Sequence, residues 1–153
     1  MVGLDQTTKL WARQNLSFNE PISVVDGILN FRLLFNTGAA FSFLSGKTSF
    51  LALFSLLVAG GLVYFAIKKM ATLNLFQLLF FVFVTSGAVG NLIDRMFLQR
   101  VTDFIDLLIL PGDFPVFNFA DVYINIALVF ILIDYFLPEK TKIVNPSEEA
   151  GLS

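Results

Sequence analysis

Phe50-Leu51-Ala52-Leu53-Phe54-Ser55-Leu56-Leu57-Val58-Ala59-Gly60-Gly61-Leu62-Val63-Tyr64-Phe65-Ala66-Ile67 is an uncharged run closed by Lys68-Lys69. At about 18 residues it is long enough to cross the hydrocarbon of a bilayer. A helix satisfies its own backbone hydrogen bonds, which lipid requires. Two more apolar stretches follow. One begins near Leu73, runs through Leu78-Leu79-Phe80-Phe81-Val82-Phe83-Val84 into Ser86-Gly87-Ala88-Val89-Gly90, and ends at Asn91 to Arg95; its small residues let another helix approach closely. The other covers about Val122 to Leu137, is closed by Pro138, and is followed by Lys140 and Lys142.

Composition agrees with a membrane protein. Of 153 residues, 56% are hydrophobic and only 14% charged, against about 25% charged in soluble domains. Mean hydropathy is +0.78. A single domain is expected over residues 1–143, with spans at about 1–14 (partial), 50–67, 73–93 and 122–137, a β platform at about 19–46, and a polar tail at 144–153. No basic tract suggests nucleic acid. The chain has no Cys and no His, which removes thiol nucleophiles, disulfides, His-assisted serine catalysis and the usual transition-metal ligands. No metal and no cofactor are expected, and any chemistry falls to Asp, Glu, Lys, Ser, Thr or Tyr.

Orientation follows from Lys and Arg in short loops. Lys68-Lys69 and Lys140/Lys142 mark the cytoplasmic side, with both termini there. Residues from about Arg13 to Ser49 and from Met96 to Val116 then face the opposite side. Within the first of these segments the pattern changes to alternation: Phe31, Leu33 and Phe35 point one way, Arg32, Leu34 and Asn36 the other. A hairpin-like platform resting on the membrane surface is expected, with turn chemistry from Asn36-Thr37-Gly38. Ahead of it, only Met1 to Leu4 precede Asp5-Gln6-Thr7-Thr8-Lys9, so the first helix is expected to be a half-span or to lack its start.

Carboxylates at the mouths of the spans need a reason, because placing one near hydrocarbon costs roughly 2.5 to 3.5 kcal/mol. Gly87, Asn91, Asp94 and Arg95 fall on one helical face, read either as a close-packing Gly with a local Asp-Arg contact or as a polar wall lining a cavity. Asn118 and Asp121 match an N-cap with an acid three residues later, and Asn125 extends that face by one turn. Asp134 lies well around the helix from Asp121 and is expected near the cytoplasmic interface. Asp103 falls in a loop with Asp106 and Asp113; Asp113, after Pro111-Gly112, reads as a turn residue, and spacing does not choose between Asp103 and Asp106.

Five motifs, taken in order, supply what spacing does not: Asp5-Gln6-Thr7-Thr8-Lys9, Asn36-Thr37-Gly38-Ala39-Ala40-Phe41, Gly87-Ala88-Val89-Gly90-Asn91-Leu92-Ile93-Asp94-Arg95, Val101-Thr102-Asp103-Phe104 and Phe117-Asn118-Phe119-Ala120-Asp121. Together they resemble lipoprotein signal peptidase (signal peptidase II). The resemblance implies a mainly α membrane protein, a four-transmembrane-helix bundle, here with a truncated first helix, carrying a small extracytoplasmic β cradle. It implies an aspartyl endopeptidase of the bacterial inner membrane that removes signal peptides from diacylglyceryl-modified prolipoproteins, cleaving just before the lipidated Cys. Asp103 and Asp121 correspond to the family's catalytic pair. Asn36, Gly38, Asn91, Arg95, Asn118, Asp5 and Lys9 correspond to residues that support the pair or bind substrate. The implied partners are lipid-modified prolipoproteins and membrane lipids, the active site faces the periplasm, and a monomer is expected. Ser86 departs from the pattern, standing where the family often has Gly.

Two carboxylates close together in a low-dielectric pocket share a proton, so one acts as base and the other as acid. Rival classes are a small ion-coupled transporter, which places its carboxylates near the midplane and often shows inverted repeats, and a serine-lysine peptidase using Ser42 or Ser86 with Lys9. A non-catalytic assembly subunit is a third.

Overall fold

The computed structural model describes residues 1–38, 48–109 and 114–137. Its elements run α1 (Val2–Asn15), β1 (Ile22–Val25), β2 (Leu29–Asn36), α2 (Thr48–Lys69), α3 (Leu75–Leu98), β3 (Val101–Leu107) and α4 (Phe119–Phe136). Among the described residues α2, α3 and α4 are the three helices long and apolar enough to cross a membrane. The chain is therefore a multi-pass membrane protein, mainly helical, with a small antiparallel sheet. The fourth helix, α1, has 14 residues and packs beside α3 and α4.

Helix α2 buries only Thr48, Leu51, Ala52 and Ala59 and exposes large apolar side chains such as Phe54, Leu57 and Ile67, as a lipid-facing helix should. Helices α3 and α4 pack closely through Gly87, where a Cβ would collide with the Ala120 carbonyl oxygen and with Ile124 Cγ1. Further along, Phe83 meets Tyr123 and Phe130 edge-on, with ring centroids 6.2 and 5.4 Å apart. At the end near Lys68-Lys69, Asn74 caps α3 in a reciprocal box with Gln77. Both side chains donate to buried Asp134, Asn74 Nδ2 at 2.6 Å and Gln77 Nε2 at 3.0 Å. Asp134 thus sits at that end of α4, as expected, but it is buried and ties two helices together.

The helices extend past the bounds expected from apolarity. Helix α4 starts at Phe119, three residues before Val122, because Asn118 and Asp121 form a capping box. Helix α3 continues to Leu98 because Asn91 and Asp94 turn inward and are buried, so charge does not end it. The chain then reverses at Gln99, in the left-handed region at φ 56°.

The sheet has the order β1-β2-β3, all antiparallel. Its third strand corrects the sequence reading, which confined β structure to about 19–46 and placed Asp103 in a loop. Val101–Leu107 pairs with β2, with Leu34 opposite Asp103 and Asn36 opposite Val101. Three polar residues among seven obscured the strand. The tight hairpin turn also lies elsewhere than expected, at Asp26-Gly27, where Gly27 takes φ 72° and Ile28 N–H donates to the Val25 carbonyl at 3.0 Å. Asn36 instead ends β2, its side-chain oxygen accepting from Gly38 N–H at 2.8 Å.

Phe31, Leu33 and Phe35 do share a side, packing with Ala12, Leu16 and Phe104 in one apolar cluster between α1 and the sheet. This cluster seats the sheet on α1 and brings the end of β2, the start of β3, the end of α3 and the start of α4 together. The turn expected at Pro111-Gly112-Asp113, the tail at 144–153 and residues Lys140 and Lys142 lie outside the described residues.

Candidate active site

The start of α4 organises the site. A helix leaves its first backbone N–H groups without intrahelical partners, and here two side chains take them. Asn118 Oδ1 accepts from Asp121 N–H at 3.1 Å, and Asp5 Oδ1, from α1, accepts from Ala120 N–H at 2.9 Å. With its oxygen committed to the cap, the Asn118 amide points its Nδ2 inward. That nitrogen donates to Asp103 Oδ1 at 2.6 Å and to Asn91 Oδ1 at 3.2 Å.

Asn91, on α3, is oriented by two donors at its carbonyl oxygen. Its Oδ1 accepts from Asn118 Nδ2 and from Lys9 Nζ, the latter at 2.9 Å, so its own Nδ2 must face the other way. There it donates to Asp121 Oδ1 at 2.8 Å. Asp103 and Asp121 are thereby attached to two hydrogen-bonded amides, from separate elements, and Asp121 is near enough for its charge to act on Asp103. Burial pushes the Asp103 carboxyl up from 3.8 to about 7, with the Asp121 charge adding to the rise. Hydrogen bonds from Asn118 and Asn36 and the charge of Lys9 act in the opposite direction. A carboxyl so placed keeps a proton near neutrality and can donate it.

Lys9 is fully buried and paired with Asp5 Oδ2 at 3.0 Å, one helical turn before it, and lies 3.7 Å from Asp94 Oδ2. Buried charge is tolerated only when paired and hydrogen-bonded, and this group meets that condition. Gly90 makes room for it, since a Cβ there would lie 2.6 Å from Asp5 Oδ2. Arg95 reaches the opposite rim and donates through Nη2 to the Gly38 carbonyl at 3.2 Å, linking α3 to the end of β2.

All nine sequence-derived site residues, Asp5, Lys9, Asn36, Gly38, Asn91, Arg95, Asp103, Asn118 and Asp121, therefore gather in one region. The structure also separates Asp103 from Asp106, which turns to Arg32 and pairs with its Nε at 3.0 Å. Asn125 does not join, donating to the Asp121 backbone carbonyl from an exposed position. Asp94 is a member of the charge group, with no hydrogen bond to Arg95. It accepts from Thr102 N–H at 2.8 Å and lies 3.7 Å from Arg13 Nη1. Arg13, Thr102 and Gln6, whose Nε2 donates to Gly90 O at 3.0 Å, were not singled out from sequence. Arg13 had a signal: Asp5, Lys9 and Arg13 recur every four residues along one face of α1. Thr102 had none, since only the fold brings it to α1.

A serine-lysine arrangement finds no support among the described residues. Ser86 donates back to the Val82 carbonyl of its own helix at 2.7 Å, and Lys9 is committed to Asp5 and Asn91. Ser42 lies outside the described residues. No group of three or more potential metal-binding acids is present among them either.

Comparison with known proteins gives the same direction. A family model described as signal peptidase (SPase) II matches residues 1–137. A lipoprotein signal peptidase of Nostoc punctiforme is 44% identical over 133 residues, covering 87% of this chain and 82% of its own. One from Syntrophus aciditrophicus is 36% identical over 143 residues, covering 91% and 89%. A solved bacterial membrane enzyme superimposes with a TM-score of 0.82 at 36% identity, covering 94% of this chain and 88% of the other. A second gives 0.78 at 38% identity, covering 88% and 86%. With a match over nearly the whole chain and relatives this similar along most of their length, the protein belongs to the signal peptidase II family of bacterial membrane peptidases.

Proposed function

We propose that this chain is an aspartyl endopeptidase that removes the signal peptide from diacylglyceryl-modified prolipoproteins, cutting on the N-terminal side of the lipidated Cys. The observation that carries the reading is the amide pair: Asn118 holds Asp103 at 2.6 Å, Asn91 holds Asp121 at 2.8 Å, and the two amides bond to each other at 3.2 Å. Relatives named lipoprotein signal peptidase supply the substrate class.

In this reading the two carboxyls share one proton. The ionised member takes a proton from water as that water attacks the scissile carbonyl, while the protonated member polarises the carbonyl oxygen. Collapse of the tetrahedral intermediate returns a proton to the departing amine. Asn91 and Asn118 hold the acids at fixed separation through both half-reactions, and Arg95, beside Gly38, is placed to engage the substrate backbone. The lipid chains and signal helix enter from the bilayer between the helices. The enzyme acts as a monomer with both termini cytoplasmic and the site on the extracytoplasmic side. Lys68-Lys69, at the end of the bundle away from the acids, support that orientation.

The test uses purified wild type, Asp103→Asn and Asp121→Asn in detergent or lipid with a diacylglyceryl-modified prolipoprotein. Both variants should insert and fold yet lose cleavage. Undiminished turnover by either removes that residue from the pair.

A further inference from the structure

Thr102, next to Asp103 in β3, is gripped twice. Its backbone N–H donates to Asp94 Oδ2 on α3 at 2.8 Å, and its hydroxyl accepts from Arg13 Nη1 on α1 at 2.9 Å. Arg13 Nη1 and Asp94 Oδ1 are themselves 3.7 Å apart, so the three side chains and one backbone group close a ring. Thr102 is completely buried and Asp94 nearly so, while Arg13 is 23% exposed. Successive side chains of a strand point to opposite faces. The Arg13 contact therefore lies on the face of the strand away from the Asp103 carboxyl while Asp94 holds its backbone edge, and neither Thr102 nor Arg13 has a hydrogen bond to either acid.

We propose that Arg13 and Thr102 are positioning residues: together with Asp94 they pin the first residues of β3 between α1 and α3 and so set how near Asp103 stands to Asp121. Past Asp103 the strand is tied to the segment entering α4, where Phe104 N–H and Ile105 N–H donate to the Phe117 carbonyl at 3.0 and 2.9 Å; ahead of Asp103 the hold on that edge comes from the Arg13–Thr102–Asp94 ring. On its other edge the strand is held by β2, whose pairing with β3 is irregular between Phe31 and Leu34, immediately before the Leu34–Asp103 position. The bulge bends the ladder there, Leu34, Phe35 and Asn36 then pair regularly with Asp103, Thr102 and Val101, and the Arg13–Thr102–Asp94 ring holds the same three residues of β3 from the opposite edge. The proposal rests on the Asp103/Asp121 reading and adds to it a mechanical requirement. The strand must not retreat from the start of α4.

The experiment compares wild type with Thr102→Val, which keeps the β-branched shape and loses the acceptor, Thr102→Ser, which keeps the hydroxyl, Arg13→Met and the double variant Arg13→Met/Thr102→Val. Asp103→Asn is the reference for loss of chemistry. Turnover of lipid-modified prolipoprotein is measured across pH, with thermal unfolding in detergent as a check on folding. Thr102→Val and Arg13→Met should each lower kcat about 10- to 100-fold with KM within about twofold, and the double variant should lose no more than the worse single one, because both remove the same interaction. Thr102→Ser should recover most of the lost turnover. The alkaline limb of the kcat profile should move to lower pH in Thr102→Val, since an Asp103 set back from Asp121 gives up its proton more readily.

Full kcat in Thr102→Val and Arg13→Met, losses that multiply in the double variant, a Ser variant as impaired as Val, or an unmoved pH limb would overturn the proposal. If Arg13→Met alone folds, its kcat and pH profile decide. Activity retained by Asp103→Asn would instead remove the acid pair itself, so the two failures are told apart by that one control.

Discussion

Asn118 and Asp121 cap one another. The Asn118 side-chain oxygen accepts from Asp121 N–H at 3.1 Å, and Asp121 Oδ2 accepts from Asn118 N–H at 3.2 Å. The exchange opens α4 as any capping box would, and it leaves Asp121 Oδ1 free for Asn91 and Asn118 Nδ2 free for Asp103. A structural role and a role at the acid pair thus belong to the same two side chains and use different atoms.

That division can be separated by substitution. Asn118→Ser keeps a capping oxygen but loses the Nδ2 donor to buried Asp103 and Asn91, so it should still fold, at a cost of about 1–3 kcal/mol, while turnover falls at least about 10-fold. Asn118→Ala should show the same loss of turnover and cost about 1 kcal/mol more than Asn118→Ser, the loss of the cap. Thermal unfolding in detergent and cleavage of lipid-modified prolipoprotein measure the two effects. Equal turnover in wild type and Asn118→Ser would confine Asn118 to capping.

The proton on Asp103 sets a pH dependence. Its carboxyl is raised from 3.8 to about 7 by burial and by the Asp121 charge, so the folded state holds this proton more tightly than the unfolded chain does. Its contribution to stability is therefore complete below about pH 3.8 and is lost as pH rises through about 7. Wild type should lose thermal stability between pH 5 and 8 by more than Asp103→Asn does, and cleavage should decline as pH rises above about 7. A wild type and an Asn variant with parallel stability profiles would contradict the assignment.

Glycines divide by position. At Gly90 a Cβ would lie 2.6 Å from Asp5 Oδ2 and 3.0 Å from Ala120 Cβ, and at Gly87 it would strike the Ala120 carbonyl oxygen and Ile124. Gly90→Ala and Gly87→Ala should each destabilise by about 1–3 kcal/mol, with Gly90→Ala also lowering turnover by displacing Asp5 from the start of α4. Gly60 and Gly61 on α2 have nothing within 4 Å of an added Cβ, and Ala at either should leave cleavage unchanged and stability equal or raised by up to about 1 kcal/mol, since Ala is the better helix former. Unfolding midpoints of the four variants provide the comparison.

The membrane class, the three spans and the apolar face Phe31-Leu33-Phe35 were legible in the sequence because each depends on local periodicity and length, which hydrophobic burial imposes directly on neighbouring residues. The strand Val101–Leu107 was not legible, because its carboxylates and hydroxyl break the alternation and are satisfied only by partners on other elements, Asp103 by Asn118, Asp106 by Arg32 and Thr102 by Arg13. Asp94 illustrates the same limit. Its helical face was readable, but which cations it faced was not.

The motifs by themselves determined which residues belong together and which family they resemble. The motifs also pointed to Asp103 over Asp106; only the tertiary structure decided that Asp103 and Asp121 are joined through two amides, and that α1 contributes a buried ion group beside them. The reason is physical: hydrogen bonds and ion pairs between residues 5 and 120, 9 and 91, or 13 and 102 depend on distances of about 3 Å across separate elements, which local pattern does not encode and packing does.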